Sequence, residues 1–201
     1  MAVGDITTIL VARARTYLDE VSAGFWTQDE IYKALTDGQR EVITFVLAIY
    51  KQKLSVNPDE KLPEVLRNCF NTTTGIGSAA LPAGFLFPLS VYTATVPVYM
   101  RPDGTQRGAS KLNAYLASSS TQPFCSFSST QIVFETSVSW TMEYLQTPIS
   151  DIDATHDPAL GAIAYNAMVE YATAFLLNKD ENQRAQQHLS KFFNEVQNLS
   201  F

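Results

Sequence analysis

The chain has 201 residues, 46% of them hydrophobic and 17% charged, enough apolar material to build one globular domain or one domain with a large insertion, and this composition excludes disorder throughout. Its net charge of -6 is unevenly placed: Leu112 to Asn178 holds six carboxylates and no Lys or Arg, while the remainder is balanced at 14 of each sign. A chain with that stretch lacks the clustered cations that replace counterions on phosphates, so tight nucleic-acid binding is not expected.

The first element opens at Asp5, a candidate N-cap for a helix whose apolar positions Ile6, Ile9, Leu10, Ala14, Tyr17 and Leu18 follow helical spacing, stopping near Asp19. A turn around Ser22-Ala23-Gly24 follows. Thr27-Gln28-Asp29-Glu30 then has the form of a capping box, in which the Thr27 hydroxyl accepts from the Glu30 amide and the Glu30 carboxylate accepts from the Thr27 amide. Trp26 and Ile31 stand where a hydrophobic staple places its two side chains. The second helix carries Ile31, Leu35, Gly38, Val42, Phe45, Val46 and Ile49 on one stripe, runs to about Lys53, and is closed by Asn57-Pro58.

Residues 63 to 150 change character, being rich in Thr, Ser, Tyr, Phe and Val with recurring Pro and Gly, and they read as a β-rich insertion. Strands are predicted at Cys69 to Thr74, Leu89 to Met100 in two pieces about Pro97, Gln131 to Phe134, and Val138 to Leu145, with a short helix at Ser110 to Ala117. The last quarter returns to helix. Asp157-Pro158 supplies an N-cap and a first-turn proline for a helix through Leu177, apolar except for a narrow stripe of Asn166, Glu170 and Thr173 and the small Gly161. Asp180 with Gln183 makes a weaker cap for a final helix with Ala185, Leu189, Phe192, Phe193 and Val196 on one face. These two helices are expected to form an antiparallel hairpin. The fold class is therefore α+β: residues 1–62 and 151–201 form one helical body, and residues 63–150 form a β-rich lobe projecting from it.

Reactive constellations are weak. Asp151, Asp153, His156 and Asp157 form the densest set of potential metal ligands, but a calcium loop counted from Asp151 needs Gly at its sixth position and Glu at its twelfth, where the chain has His156 and Ala162. A solvated loop is the simpler reading. Thr74-Gly75-Ile76-Gly77 resembles half of a phosphate loop but lacks the following Lys-Ser or Lys-Thr, so a turn is expected. His156 and His188 lack a nucleophile motif, and His188 reads as a surface residue. Cys69 and Cys125 have no basic neighbours and read as inert thiols of a chain made in a reducing compartment. A helix-turn-helix is disfavoured by the long turn and by Asp29, Glu30, Asp37 and Glu41 on the second helix, which would repel phosphate. No cofactor or metal is expected, and the start of the chain predicts neither export nor a membrane span.

The order of these elements resembles a known family. Ala12-Arg13-Ala14-Arg15-Thr16-Tyr17-Leu18-Asp19-Glu20, Phe25-Trp26-Thr27-Gln28-Asp29-Glu30-Ile31 and Leu35-Thr36-Asp37-Gly38-Gln39-Arg40-Glu41-Val42 look like the opening of the tail adaptor (head-tail connector) proteins of short-tailed bacteriophages. Leu81-Pro82-Ala83-Gly84-Phe85-Leu86, Met142-Glu143-Tyr144-Leu145-Gln146-Thr147-Pro148, and His156-Asp157-Pro158-Ala159-Leu160 with Glu170-Tyr171-Ala172 are similar to later parts of that family. The resemblance implies a non-enzymatic virion protein, assembled in the bacterial cytoplasm. It would form a ring of commonly twelve copies under the portal protein and join it to tail nozzle, tail tube or fibre proteins, with DNA only passing through. On that reading Phe192, Phe193, Val196, Leu199 and Phe201 are candidates for docking on the portal, and Asp151, Asp153 and Asp157 are candidates to face the channel. Two alternatives remain: a ring-forming packaging factor that binds DNA through Lys51, Lys53, Lys61 and Arg67, and a metal-dependent enzyme built on Asp151 to Asp157.

Overall fold

A computed structural model describes residues 4–20, 24–57, 59–100, 123–134, 136–148, 150–178 and 182–199. The predicted helix at Ser110 to Ala117, together with Pro58, Asp180 and Phe201, lies outside the described residues. The fold is α+β, with helices toward both ends of the chain and antiparallel sheet in the middle. It divides into two compact units, one of Met1–Cys69 with Thr147–Phe201 and one of Phe70–Gln146.

The first unit holds four helices, α1 (Asp5–Tyr17), α2 (Gln28–Val56), α3 (Tyr165–Leu177) and α4 (Asn182–Asn198), and a 3-10 turn at Glu64–Cys69. Helix α3 is central and packs against α1, α2 and α4. Its buried residues run around most of its circumference, including Ala167, Met168, Val169, Ala172, Leu176 and Leu177, as a helix with so narrow a polar stripe requires. Tyr171 meets Phe192 of α4, and Ala174 lies with Ala185 in one groove, so α3 and α4 run antiparallel. Helices α2 and α3 touch at Gly38, where an added Cβ would lie 2.8 Å from the Met168 carbonyl oxygen. The predicted stripe of α2 widens in the fold: Ala34, Gln39, Ile43, Leu47 and Tyr50 are buried beside Ile31, Leu35, Val42 and Val46.

The N-terminus of α2 is built as its sequence predicts. Thr27 Oγ1 accepts from the Glu30 amide at 3.3 Å and the Glu30 carboxylate accepts from the Thr27 amide at 3.0 Å. Trp26 and Ile31 are both buried. Two other helix starts differ from expectation. Gly4, at φ 91°, and not Asp5, is the N-cap of α1. Helix α3 begins at Tyr165 after a 3-10 turn at Ala162–Ala164, not at Pro158. The reason is tertiary: the amides of Ala159 and Leu160 donate to the buried Gln39 side chain of α2, at 2.8 and 3.3 Å, which holds this segment out of a helix.

The second unit has two sheets. The first orders its strands β1 (Phe70–Ile76), β7 (Ser139–Gln146) and β3 (Phe85–Tyr92), all antiparallel. The second orders β2 (Ala79–Ala80), β6 (Gln131–Phe134), β5 (Phe124–Phe127) and β4 (Tyr99–Met100), with β4 and β5 parallel. The unit's first and last strands pair directly, Phe70 opposite Leu145, so the chain leaves this sheet beside where it joined it. Its core gathers the inward residues of alternating strands: Trp140, Met142 and Tyr144 from β7, Ile132 and Phe134 from β6, with Val91 and Cys125. Strand β3 starts earlier than the predicted Leu89, and β2 and β5 were not predicted, because two alanines and four mixed residues show too little alternation. Gly75 lies within β1 and the Trp140 ring covers it, so an added Cβ would fall 2.4 Å from a ring carbon. The bend follows at Gly77, whose carbonyl accepts from Trp140 Nε1 at 2.7 Å. The glycines of this segment therefore serve packing and a turn, not phosphate.

Candidate functional site

The segment 151–160 of the first unit holds the candidate metal ligands Asp151, Asp153, His156 and Asp157 and crosses helices α1 and α2. Asp151 pairs with Arg40 of α2 at 2.7 Å. The Ile152 amide donates to Thr36 Oγ1 at 2.9 Å, and Gln39 takes the amides of Ala159 and Leu160 as described. Asp153 closes its own loop, its Oδ1 accepting from the amides of Thr155 and His156 at 2.6 and 2.8 Å, with the His156 ring at 3.0 Å. The His156 ring, then the Thr155 hydroxyl and amide, hold the Asp153 carboxyl well below its ordinary range.

Asp157 has a role that no local pattern revealed. Its Oδ1 accepts from the Thr7 amide at 3.0 Å and the Thr7 hydroxyl at 3.1 Å, and its Oδ2 accepts from the Gly4 amide at 3.1 Å. It is thus the side-chain cap of α1, delivered from the far end of the chain, and not the cap of α3. The Thr7 amide first of all, against an opposing contribution from desolvation, keeps this carboxyl below its ordinary range. Asp5 is left exposed in the first turn, where its charge suits the helix dipole.

A groove of about 340 Å³ lies between the first half of α2 and Asp151–Asp153, bringing Asp29, Asp37, Asp151 and Asp153 near Lys33 and Arg40. Among the described residues, no three His, Cys, Asp or Glu side chains stand together as a metal-ligand set. The charges of Asp151 and Asp153 are spent on an ion pair and a loop closure.

His188 corrects the sequence reading. It is 9% exposed, not a surface residue, and its Nδ1 lies 2.5 Å from Oε2 of Glu170, itself buried. The Tyr17 ring of α1 stacks on the imidazole at a centroid distance of 5.6 Å. The polar stripe of α3 is thereby satisfied residue by residue: Asn166 accepts from Arg13, Glu170 meets His188, and Thr173 donates to the Val169 carbonyl. Cys69 and Cys125 are buried, and burial pushes their thiols up to about 11 and about 12, leaving them protonated and unreactive near neutral pH.

The portal-docking candidates separate. Phe192, Val196 and Leu199 are buried in their own unit, Leu199 at 6% exposure, so Leu199 is not a free apolar anchor. Phe192 packs against Phe45 and Tyr171 at 5.7 and 5.2 Å, and the helical ladder continues to Leu199, whose amide donates to the Glu195 carbonyl. Phe193 remains exposed. Its ring packs edge-on against Phe45 of α2 at 5.2 Å. Phe175 of α3 and Leu189 of α4, also exposed, line a mainly apolar groove of about 180 Å³ along the α3–α4 seam. The sequence places Leu189 on the apolar face of the last helix with Phe193, itself a docking candidate, and Phe175 on a helix apolar over most of its circumference. Among the described residues, the most exposed aromatic is Phe25 at 70%, in the loop before α2. That loop is held by the Glu20 carboxylate, which accepts from the amides of Gly24, Phe25 and Trp26 and pairs with Arg15 at 3.0 Å. Burial raises the Glu20 carboxyl, but these amides and Arg15 outweigh it and leave it below its ordinary value.

No protein-family model matches the chain, and no curated protein matches it. Among the described residues, no helix is long and apolar enough to cross a membrane.

Proposed function

We propose that the chain is a non-enzymatic structural protein of a virion, a head-tail adaptor that forms a ring of about twelve copies beneath a portal and links it to tail components around the DNA channel. The resemblance of its sequence to tail adaptors gives the class. The observation that carries the reading is the pattern of exposure on the helical unit. Its polar cluster is consumed in holding the fold, through Asp157 on α1, Asp151 on α2 and Glu170 on His188, while Phe25, Phe175, Leu189 and Phe193 are left in solvent. Large apolar side chains grouped on a packed helical surface suit a protein whose work is contact with other chains. A ring subunit needs two different lateral patches, and Phe25 lies in the α1–α2 loop while Phe175 and Leu189 line the α3–α4 seam.

In this reading the portal contact moves from the buried Phe192, Val196 and Leu199 to the exposed Phe193, Leu189 and Phe175. Asp151 and Asp153 are 71% and 47% exposed, but Arg40 and the His156 ring already partner them, so they lend a channel wall little free negative charge. Native mass measurement of the purified chain, alone and with a portal ring, tests the proposal. A complex carrying about twelve copies per portal is expected. A chain that stays monomeric and does not bind the ring would overturn it. Retarded DNA in a gel shift at physiological salt would favour the packaging factor, and stoichiometric divalent-metal binding near Asp151 would favour the enzyme.

A further inference from the structure

Among the described residues, the two sheets of the second unit have four edges, and three carry the devices that prevent strand addition. Strands β2 and β4 are two residues long. Strand β3 contains Pro88 and two register shifts against β7. Short strands, proline and bulges are the usual means of blunting an edge. Strand β1 has none of them. It pairs with β7 over all seven residues without a shift, it carries no charge, and among the described residues no strand pairs with its other side.

The directions of its backbone groups follow from the ladder. The Gly77 amide donates to the Val138 carbonyl at 2.9 Å, continuing the β1–β7 pairing. Because successive residues of a strand alternate in direction, the amides of Asn71, Thr73 and Gly75 also face β7, and those of Thr72, Thr74 and Ile76 face outward. The Thr72 amide agrees with this, since it donates to the Asn71 side chain at 2.8 Å and not to β7. An outer edge of alternating donors and acceptors is recognised by another strand.

We propose that this edge pairs with β1 of a second copy of the chain, antiparallel about a two-fold axis at Thr73. In that register the outward-facing residues meet one another: Phe70 stands opposite Ile76 of the other copy, and Thr72 opposite its Thr74. Each such pair can exchange two backbone hydrogen bonds, and with the Thr72 amide of each copy held by its own Asn71 side chain about six form in all. The side chains fit the same register. Phe70 and Ile76, 44% and 70% exposed on the solvent face, form an aromatic and β-branched pair at each end, and threonines pair in the middle. A shift of two residues either way sets Phe70 or Ile76 against threonine and loses both apolar pairs. With no charge on the strand, self-pairing opposes no like charges. The contact is isologous and does not depend on the adaptor reading, whose ring is closed by head-to-tail contacts.

Sedimentation of the full chain over roughly 1–100 μM, the range in which weak self-association is read, together with cysteine cross-linking, tests the pairing. Concentration-dependent dimerisation is expected, weakened about tenfold or more in Thr72→Lys/Thr74→Lys, where like charges oppose one another twice. Phe70→Cys mixed with Ile76→Cys should give a disulfide-linked dimer under mild oxidation, since the two residues are opposite across the axis, and neither variant should link with itself. Both substitutions fall on exposed side chains, and the native cysteines are buried. A wild-type chain monomeric throughout the range, association unaffected by the lysines, or cross-links as strong in the single variants as in the mixture would each overturn the proposal. Cross-linking of Ile76→Cys to a different protein instead would assign the edge to that partner and overturn it equally.

Discussion

At the residue scale the chain spends its ionisable groups on distant parts of its own fold. Asp157 and Thr7 are the clearest case, because one carboxylate satisfies two of the orphan amides at the start of α1. Asp157→Ala is expected to lower the urea midpoint clearly, Asp5→Ala hardly at all. The combined loss in Asp157→Ala/Thr7→Val should fall short of the sum of the single losses, because the two side chains share one bond. The pH dependence follows from the direction of the shift. Asp153 and Asp157 are held below their ordinary range in the folded chain, so their contribution is fully present above about pH 4, near the unfolded carboxylate value, and is lost as pH falls through the folded values. Acid titration of stability should therefore be shallower in Asp157→Ala than in the wild type. His188 supplies the second test. Replacing it with Leu strands the buried Glu170 carboxylate and should cost about 3–5 kcal/mol, whereas the pair Glu170→Leu/His188→Leu should recover most of that loss. Chemical denaturation of the two variants against the wild type measures both quantities.

At the scale of elements, what was readable in the sequence was what depends on neighbours a few residues away. The capping box at Thr27 and Glu30 is of that kind, and Thr27→Ala should lower stability by about 1 kcal/mol, measured by the same denaturation. The strand at Gln131–Phe134 and the apolar circumference of α3 were likewise legible, since alternation and helical spacing are local. The starts of α1 and α3 were not. Asp157-Pro158 has the composition of a helix start, but its carboxylate is taken by α1 and the amides after it by Gln39, and propensity yields to those contacts. Gly38 stands on the apolar stripe of α2, and by intrinsic helix propensity alone alanine there would gain about 1 kcal/mol. Its close approach to the Met168 backbone reverses the sign. Gly38→Ala should destabilise the chain by roughly 1–3 kcal/mol, the usual cost of overpacking, and a rise in the thermal midpoint would show that the helices can separate there without loss.

At the scale of the whole molecule, two cores sit in two units, and each should answer to its own mutations. Met142 is fully buried among Trp140, Tyr144, Ile132 and Val91 in the second unit, and truncation to alanine should cost about 2–5 kcal/mol. Amide exchange should quicken in β1, β3, β6 and β7 of Met142→Ala while α3 keeps its protection. Equal loss of protection in α3 would show one cooperative core. Composition, periodicity and capping patterns by themselves determined the fold class and the succession of helical, strand-rich and helical segments, because these rest on interactions within a few residues along the chain. Only the tertiary structure decided that Asp157 caps α1, that His188 is buried on Glu170, that Leu199 belongs to the core while Phe175 does not, and that among the described residues no strand pairs with the outer edge of β1. Each of these depends on which surfaces meet across more than about a dozen residues, and a linear pattern records the need for a partner without recording which partner satisfies it.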